Sequence, residues 1–409
     1  MNPRILAFIL AGGKGERLFP LTVERSKPSV PIGGRYRVVD FVLSNFINSK
    51  IFSIYLLVQY KSQSLIEHTR ENWIIKTVSR DHFVALVPPQ MRMGPDWFQG
   101  TADAIFQNIN LIRQYSPDIV AVFGADHIYR MDISQMVKFH IENNAVATVA
   151  SRPVPIALAN AFGIVSTDGD SRVTGFQEKP KIPTPMPGDP NRAYASMGNY
   201  LFNTDTLIEA LADAQRQKQH DFGGYVMPSL VSTKRLYAYD FETNIIPGTR
   251  SYEESGYWRD VGTIPVFWQT NMDMLGKEPP FELDNKHWPI HPAGYDGPAA
   301  KLYNARVINS YIAEGVIIHD AFIKNSVIRR GVVIEDGVEV EDSIIMDDVV
   351  LKKGSRFRKV IVDKLNVLEE GAKIGFDSES DRFICHIDPS GIRILPRGKR
   401  YISRAIKLD

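Results

Sequence analysis

Over the first 150 residues, short all-apolar runs alternate with segments whose apolar residues recur every three or four positions. The run from Ile5 to Leu10, and those at Ile54 to Val58, Ile119 to Phe123 and Ala145 to Ala150, read as buried strands. Between them Ile105, Ile109 and Ile112 follow Thr101, an expected N-cap, at helical spacing. Asp132, a second expected cap, precedes Ile133, Met136, Val137, His140 and Ile141 on one helical face. This alternation predicts an α/β fold with a doubly wound, mostly parallel sheet. Beyond residue 300 the apolar step becomes six: Ile312 and Ile318, Ile317 and Ile323, then Ile328, Ile334 and Val340, with Gly331 and Gly337 in step. That period predicts a C-terminal left-handed parallel β-helix, whose coils bury their apolar faces against one another. Antiparallel hairpins fit less well, since no regularly spaced Asn-Gly or Asp-Gly turns occur. The step is expected to break over 341–360, where Lys352, Lys353, Arg356 and Arg358 intervene.

Two proline-rich stretches punctuate the pattern. Pro183, Pro185, Pro187 and Pro190 mark an irregular surface excursion between strands. Five further prolines between 279 and 298 accompany Trp288 and Tyr295, which predicts a linker that packs down on its neighbours. The expected organisation is a catalytic domain over 1–276, a linker over 277–298 and a β-helix over 299–409, the last serving oligomerisation or regulation.

Composition narrows the class. Lys and Arg number 48 against 47 Asp and Glu, so no general affinity for nucleic acid is implied and any cationic site must be local. A single cysteine, Cys385, excludes an internal disulfide and fits a reducing interior. No apolar run approaches the ~20 residues of a membrane helix, and the N-terminus lacks a signal-peptide pattern. These features predict a cytoplasmic protein with no membrane association.

The strand at Ile5 to Leu10 opens into Ala11-Gly12-Gly13-Lys14-Gly15-Glu16-Arg17-Leu18. Gly12, Gly13 and Gly15 allow backbone N–H groups to approach an anion closely, and Lys14, Arg17 and the more distant Lys27 add positive charge. The spacing matches neither the dinucleotide fingerprint nor the P-loop. Asp126 follows the strand at Ile119 to Phe123, at the carboxyl end where open α/β sheets place their ligand crevice. A carboxylate there is a hard oxygen ligand suited to Mg²⁺.

Taken in order, the motifs resemble those of the glucose-1-phosphate adenylyltransferases, also called ADP-glucose pyrophosphorylases. The matching stretches are Gly12 to Leu18, Arg25-Ser26-Lys27-Pro28, Asp40 to Asn45, Gln59-Tyr60-Lys61, Gly100-Thr101-Ala102-Asp103-Ala104, Asp126-His127-Ile128-Tyr129, Phe176 to Pro180, Ser196-Met197-Gly198 and Trp258 to Thr263. The resemblance implies transfer of the adenylyl group of ATP to glucose 1-phosphate, giving pyrophosphate and ADP-glucose for glycogen or α-glucan synthesis. It implies Mg²⁺ held by Asp126 and Asp260, with Arg17, Lys27 and the glycine-loop amides on the ATP phosphates. Lys179 would meet the sugar phosphate, Glu178 and Ser196 the sugar hydroxyls, and Gly163 would line their pocket. Gln59, Gly100 and Thr101 would read the adenine. A plain Glu178–Lys179 surface pair and an Asp260–Arg259 pair are the competing readings of those residues. The resemblance also implies a homotetramer and makes an anionic allosteric effector plausible, with the cations at 352–358 facing it.

Three positions depart from the pattern. Phe98 stands where many relatives have tyrosine, and Asn199 where some have an apolar residue. Glu24 reverses the charge of an activator-binding lysine, so activation by fructose 1,6-bisphosphate at that spot is not carried over. The same scaffold also serves transferases of UTP, GTP or dTTP, or of mannose 1-phosphate, and non-catalytic subunits. The joint presence of Arg17, Lys27, Asp126, Lys179 and Asp260 favours an enzyme, and the nucleotide stays open.

Overall fold

The computed structural model describes residues 3–73, 81–91 and 96–398, so the expected terminal stretch 399–409 lies outside the described residues. The N-terminal part is built on one sheet. Its strands are β1 (Ile5–Ala11), β2 (Ser53–Val58), β3 (Phe83–Val87), β4 (Ile119–Gly124), β6 (Ala147–Pro155), β7 (Gly163–Thr167), β8 (Val173–Glu178), β9 (Arg192–Asn203) and β10 (Leu236–Asp240); β5 (His127–Tyr129) lies apart. The expected parallel core runs in the order β3-β2-β1-β4, with Ala7 opposite Ile54 and Leu6 opposite Val120. Strand β1 alternates between two cores: Ala7, Ile9 and Ala11 pack on one side of the sheet, Leu6 and Phe8 on the other. Burial on both faces is why the sequence shows these strands as continuous apolar runs.

Beyond β4 the sheet is carried on by β9, which runs antiparallel to β4, β6 and β7. Its register slips between Ser196 and Tyr200, so one end pairs with β4 and the other with β7. Strand β6 runs past the expected Ala150 to Pro155 because β9 keeps pairing with it as far as Arg192. The prolines of 181–190 sit in the irregular connection between β8 and β9, as expected.

Two helix expectations need correction. Gly100, not Thr101, is the N-cap of the helix Thr101–Phe106, and the Thr101 hydroxyl is committed elsewhere. The pattern expected to give one helix through Ile112 is broken after Phe106: a second helix, Ile109–Tyr115, follows Asn108, whose side chain donates to the Ala104 carbonyl. Asp132 does cap the helix Ile133–Glu142, accepting from the Ser134 amide at 3.0 Å. Ile141 falls off that helix's buried face and is exposed.

Residues 301–395 wind through three parallel sheets with a repeat of 16 or 17 residues, as in the stack of Leu302, Ile318, Ile334, Leu351 and Leu368. This is the expected left-handed β-helix; over 341–360 the step of six is interrupted once, Val340 and Ile345 being five apart, and the coil runs on past the cations. Ile345, Leu351 and Phe357 keep the step of six and are buried. The intervening cations point outward, and three meet carboxylates of adjacent coils: Arg356 with Glu339, Arg358 with Glu341 and Lys352 with Glu369. All three cations stay partly exposed. Asn309, Asn325 and Asp342 stack at one corner with φ of 46°, 47° and 48°, a left-handed conformation these residues tolerate.

The linker packs down as expected: Trp288 and Ile290 are buried, and the Ser44 hydroxyl accepts from the His291 amide. An apolar cluster spans both parts, joining Leu18, Leu21, Val30 and Phe41 to Ile344, Ile361, Ile392 and Ile394.

Candidate functional site

A cleft of about 530 Å³ opens above the carboxyl ends of the parallel strands. Its lining brings together Gly12, Gly13, Lys27, Gln59, Gly100, Thr101, Asp126, Gly163, Glu178, Lys179, Ser196 and Asp260, all expected from the sequence. Gly15 and Arg17 lie outside that lining. Gly15 has φ of 66°, and a Cβ there would stand 2.9 Å from the Lys27 Cβ, so this glycine serves the turn. Arg17 reaches back toward the site, its Nη2 4.0 Å from Asp260 Oδ2 with the side chain largely exposed.

Asp126 and Asp260 converge because the short strand β5 pairs antiparallel with β11 (Trp258–Asp260), placing Asp260 opposite His127. Lys27 Nζ bridges them, at 2.9 Å from Asp126 Oδ2 and 2.6 Å from Asp260 Oδ1. Burial alone would raise the Asp126 pKa, but the Lys27 ammonium and then His127 outweigh it and hold the carboxyl well below the usual carboxylate range. Lys27, itself buried, is pulled the other way: desolvation lowers its pKa, and the two carboxylates together more than restore it. Asp126 and Lys27 therefore stay ionised at neutral pH. The Asp260–Arg259 pair does not form, since Arg259 turns to Glu254.

Ligand atoms of Asp126, His127 and Asp260 all lie within 4.8 Å of one another. Two carboxylates and an imidazole in that space fit a divalent cation, whose charge the two carboxylates would balance. His127 was not among the residues singled out from the sequence; its signal was its place directly after Asp126 at the strand end.

On the opposite side, Glu178 is wedged between two glycines. A Cβ at Gly163 would come within 3.0 Å of Glu178 Oε2, and one at Gly223 within 2.6 Å. Lys179 follows with φ of 46°, a conformation rare for a side-chain-bearing residue, and its Nζ stands 3.1 Å from Glu178 Oε1. The expected Glu178–Lys179 pair thus forms, with the lysine side chain 65% exposed. Ser196 sits at the β9 register slip, its hydroxyl accepting from the Gly198 amide at 3.2 Å.

Gln59 lines the cleft with its side-chain amide already paired. Its Oε1 accepts from the Phe98 amide at 2.8 Å and its Nε2 donates to the Phe98 carbonyl at 3.2 Å, so the amide pins the segment carrying Phe98. The Thr101 hydroxyl donates to Asp221 Oδ2 and accepts from the Phe222 amide. Gly100 is required sterically: a Cβ there would lie 2.3 Å from the His220 carbonyl oxygen. Asp221, which the sequence reading missed, fastens this wall by accepting also from the Gly223 and Gly224 amides. An aspartate just before Phe-Gly-Gly was its only sequence signal. Asn199, one of the departures, is fully buried and donates to the Tyr129 hydroxyl at 3.0 Å.

The family model described as Nucleotidyl transferase matches residues 6–277, which gives the class, and one for a GlmU-like C-terminal hexapeptide matches 298–395. The chain is 64% identical over 400 residues to a glucose-1-phosphate adenylyltransferase of Thermodesulfovibrio yellowstonii, covering 98% of this chain and 97% of that protein. Proteins of the same name from Anaeromyxobacter sp. and Thermus thermophilus are 46% and 44% identical over 408 and 411 residues, covering 97% of this chain and 99% of each relative. The chain belongs to the glucose-1-phosphate adenylyltransferase family.

Proposed function

We propose that this enzyme transfers the adenylyl group of ATP to α-D-glucose 1-phosphate, releasing pyrophosphate and forming ADP-glucose, a glucosyl donor for glycogen or α-glucan synthesis. The observation that carries the reading is the convergence of Asp126 and Asp260 on Lys27 at one end of a cleft whose other end is walled by Glu178, Lys179 and Ser196. A phosphate oxygen of the sugar attacks the α-phosphorus, the bond to the β-phosphate oxygen breaks, and pyrophosphate leaves. The attacking oxygen is already ionised, so no protein nucleophile or base is needed. The task is to align two polyanions and offset their charge.

The Gly12 and Gly13 amides, with Lys27 and Arg17, would receive the ATP phosphates. Lys179 turns from Glu178 to the sugar phosphate, and Glu178 and Ser196 accept and donate at sugar hydroxyls. Gly100, Thr101 and the Phe98 ring held by Gln59 form the adenine wall. Asp126 and Asp260, with His127 adjacent, would hold a Mg²⁺ ion, which would supply charge neutralisation at the phosphates. The β-helix is proposed to carry assembly into a homotetramer, with Leu302, Tyr303 and Ile308 exposed on its first coil. An anionic effector would meet the partly exposed cations of that flank. Among the described residues no helix is long and apolar enough to cross a membrane. The proposed site of action is the cytoplasm, where the single cysteine fits a reducing interior.

Pyrophosphate release with glucose 1-phosphate, Mg²⁺ and, in parallel, ATP, UTP, GTP and dTTP tests the reading. A strong preference for ATP is expected. Preference for another nucleotide would overturn the adenine assignment, and no release with any would overturn the enzymatic reading.

A further inference from the structure

Lys27 lies on a segment, residues 18–30, that has almost no backbone ladder to fix it. Its regular structure amounts to the short turns Glu16–Leu18 and Lys27–Ser29, so side chains decide where it sits. On the cleft side it is held by Lys27 between Asp126 and Asp260. On the other side Arg25, two residues earlier, points away from the cleft into the β-helix. Its Nε donates to the Leu21 carbonyl at 2.9 Å and its Nη2 to the carboxylate of Asp363, both side chains being almost fully buried. Asp363 directly follows the β-helix strand Val360–Val362 and is itself fixed. Its Oδ1 accepts from the Lys364 amide at 2.7 Å, and its own amide donates to the Leu395 carbonyl at 3.1 Å.

Adhesion alone does not call for this pair. Leu18, Leu21 and Val30 already join the β-helix through apolar contact, and a buried ion pair adds little net stability over apolar residues of the same volume. What a charged pair with fixed donor directions adds is a defined position. We infer that Asp363 is a positioning residue for the transfer reaction: acting through Arg25, it holds the segment that places Lys27 between the two active-site carboxylates. The β-helix thereby takes part in building the catalytic site. This inference rests on the adenylyl-transfer reading.

The test is a double-mutant cycle. Asp363→Asn keeps the side chain's shape and one carbonyl acceptor but removes its charge. It is compared with Lys27→Gln, the double variant and the parent, all at a temperature where circular dichroism shows each folded. Asp363→Asn is expected to lower kcat about tenfold or more, since small misplacements of charged groups are costly. In the Lys27→Gln background it should add less than about twofold, because the effect passes through Lys27. A second readout needs no turnover: competitive acetylation followed by mass spectrometry should show Lys27 reacting several-fold faster in Asp363→Asn, with exposed Lys14 unchanged. Parent-like kcat in folded Asp363→Asn, losses that simply multiply, or unchanged Lys27 labelling would each overturn the inference. A parent enzyme that releases no pyrophosphate would overturn the adenylyl-transfer reading instead, while the labelling would still decide the positioning.

Discussion

One ammonium, Lys27, holds two carboxylates whose residues lie 99 and 233 positions away in the chain. Removing one charge from this cluster leaves the fold in place but spoils its balance. Asp126→Asn is therefore expected to lower kcat by about 100-fold or more, the scale on which an essential electrostatic group acts, with an unchanged circular dichroism spectrum. Near-normal turnover would remove Asp126 from the mechanism. Gly100→Ala tests the opposite wall: its methyl group would meet the His220 carbonyl, which is backbone and cannot swing aside. A loss of about 1–3 kcal/mol in denaturant unfolding is expected, and no loss would mean that the wall is looser than described. Asp126 was legible because a carboxylate at the end of a buried strand has few other reasons to be there. The partners of Gln59 were not legible: its residue type fits a base edge, and in the fold its amide also pairs with backbone atoms of Phe98, 39 residues on. Asp221 escaped notice for a similar reason: what gives it meaning is a threonine hydroxyl 120 residues away.

Among the elements, strands buried on both faces were the easiest to read, since β1, β2 and β4 are nearly all apolar. Strand β9 was harder, because its slip between Ser196 and Tyr200 breaks the alternation at the point where it serves two neighbours. Helical spacing from Ile105 through Ile109 to Ile112 was correct as a pattern yet hid the break at Asn108, where a side chain takes the place of a backbone donor. In the β-helix, Lys352, Lys353, Arg356 and Arg358 lie outside while Ile345, Leu351 and Phe357 keep a step of six within. Leu351, fully buried between Ile334 and Leu368, carries that step. Leu351→Ala is expected to cost about 2–5 kcal/mol in chemical denaturation. A cost below about 1 kcal/mol would mean that the coil interior is not close-packed.

For the whole molecule, contacts between the two parts were the least legible, because they join residues some 300 positions apart with no local signature. Arg329 donates to the carbonyls of Ile32, Gly33 and Tyr36 while pairing with Asp347 at 2.8 Å, and Lys364 approaches the same carboxylate at 2.7 Å. Burial alone would raise the Asp347 pKa, but Arg329 and then Lys364 outweigh it and hold the group well below the usual carboxylate range. Its folded value is thus lower than its unfolded one. Its contribution to stability is fully present above the ordinary carboxylate pKa and is lost as pH falls through that value toward the folded one. Thermal unfolding followed from pH 7 down to about 3 should show the parent losing stability below about pH 5, the ordinary range for such groups. Asp347→Asn should start lower and decline less steeply. Parallel curves for the two proteins would show that Asp347 does not tie the parts together.

The proposed reaction is a single, direct displacement at the α-phosphorus of ATP by glucose 1-phosphate, with no covalent enzyme intermediate. The most direct test uses one stereoisomer of ATP bearing sulfur on the α-phosphorus and determines the configuration of the nucleotide sugar formed. One displacement predicts inversion in a sulfur-bearing ADP-glucose. Retention, which requires two displacements and a protein nucleophile, would contradict the account, as would failure to form the nucleotide sugar at all.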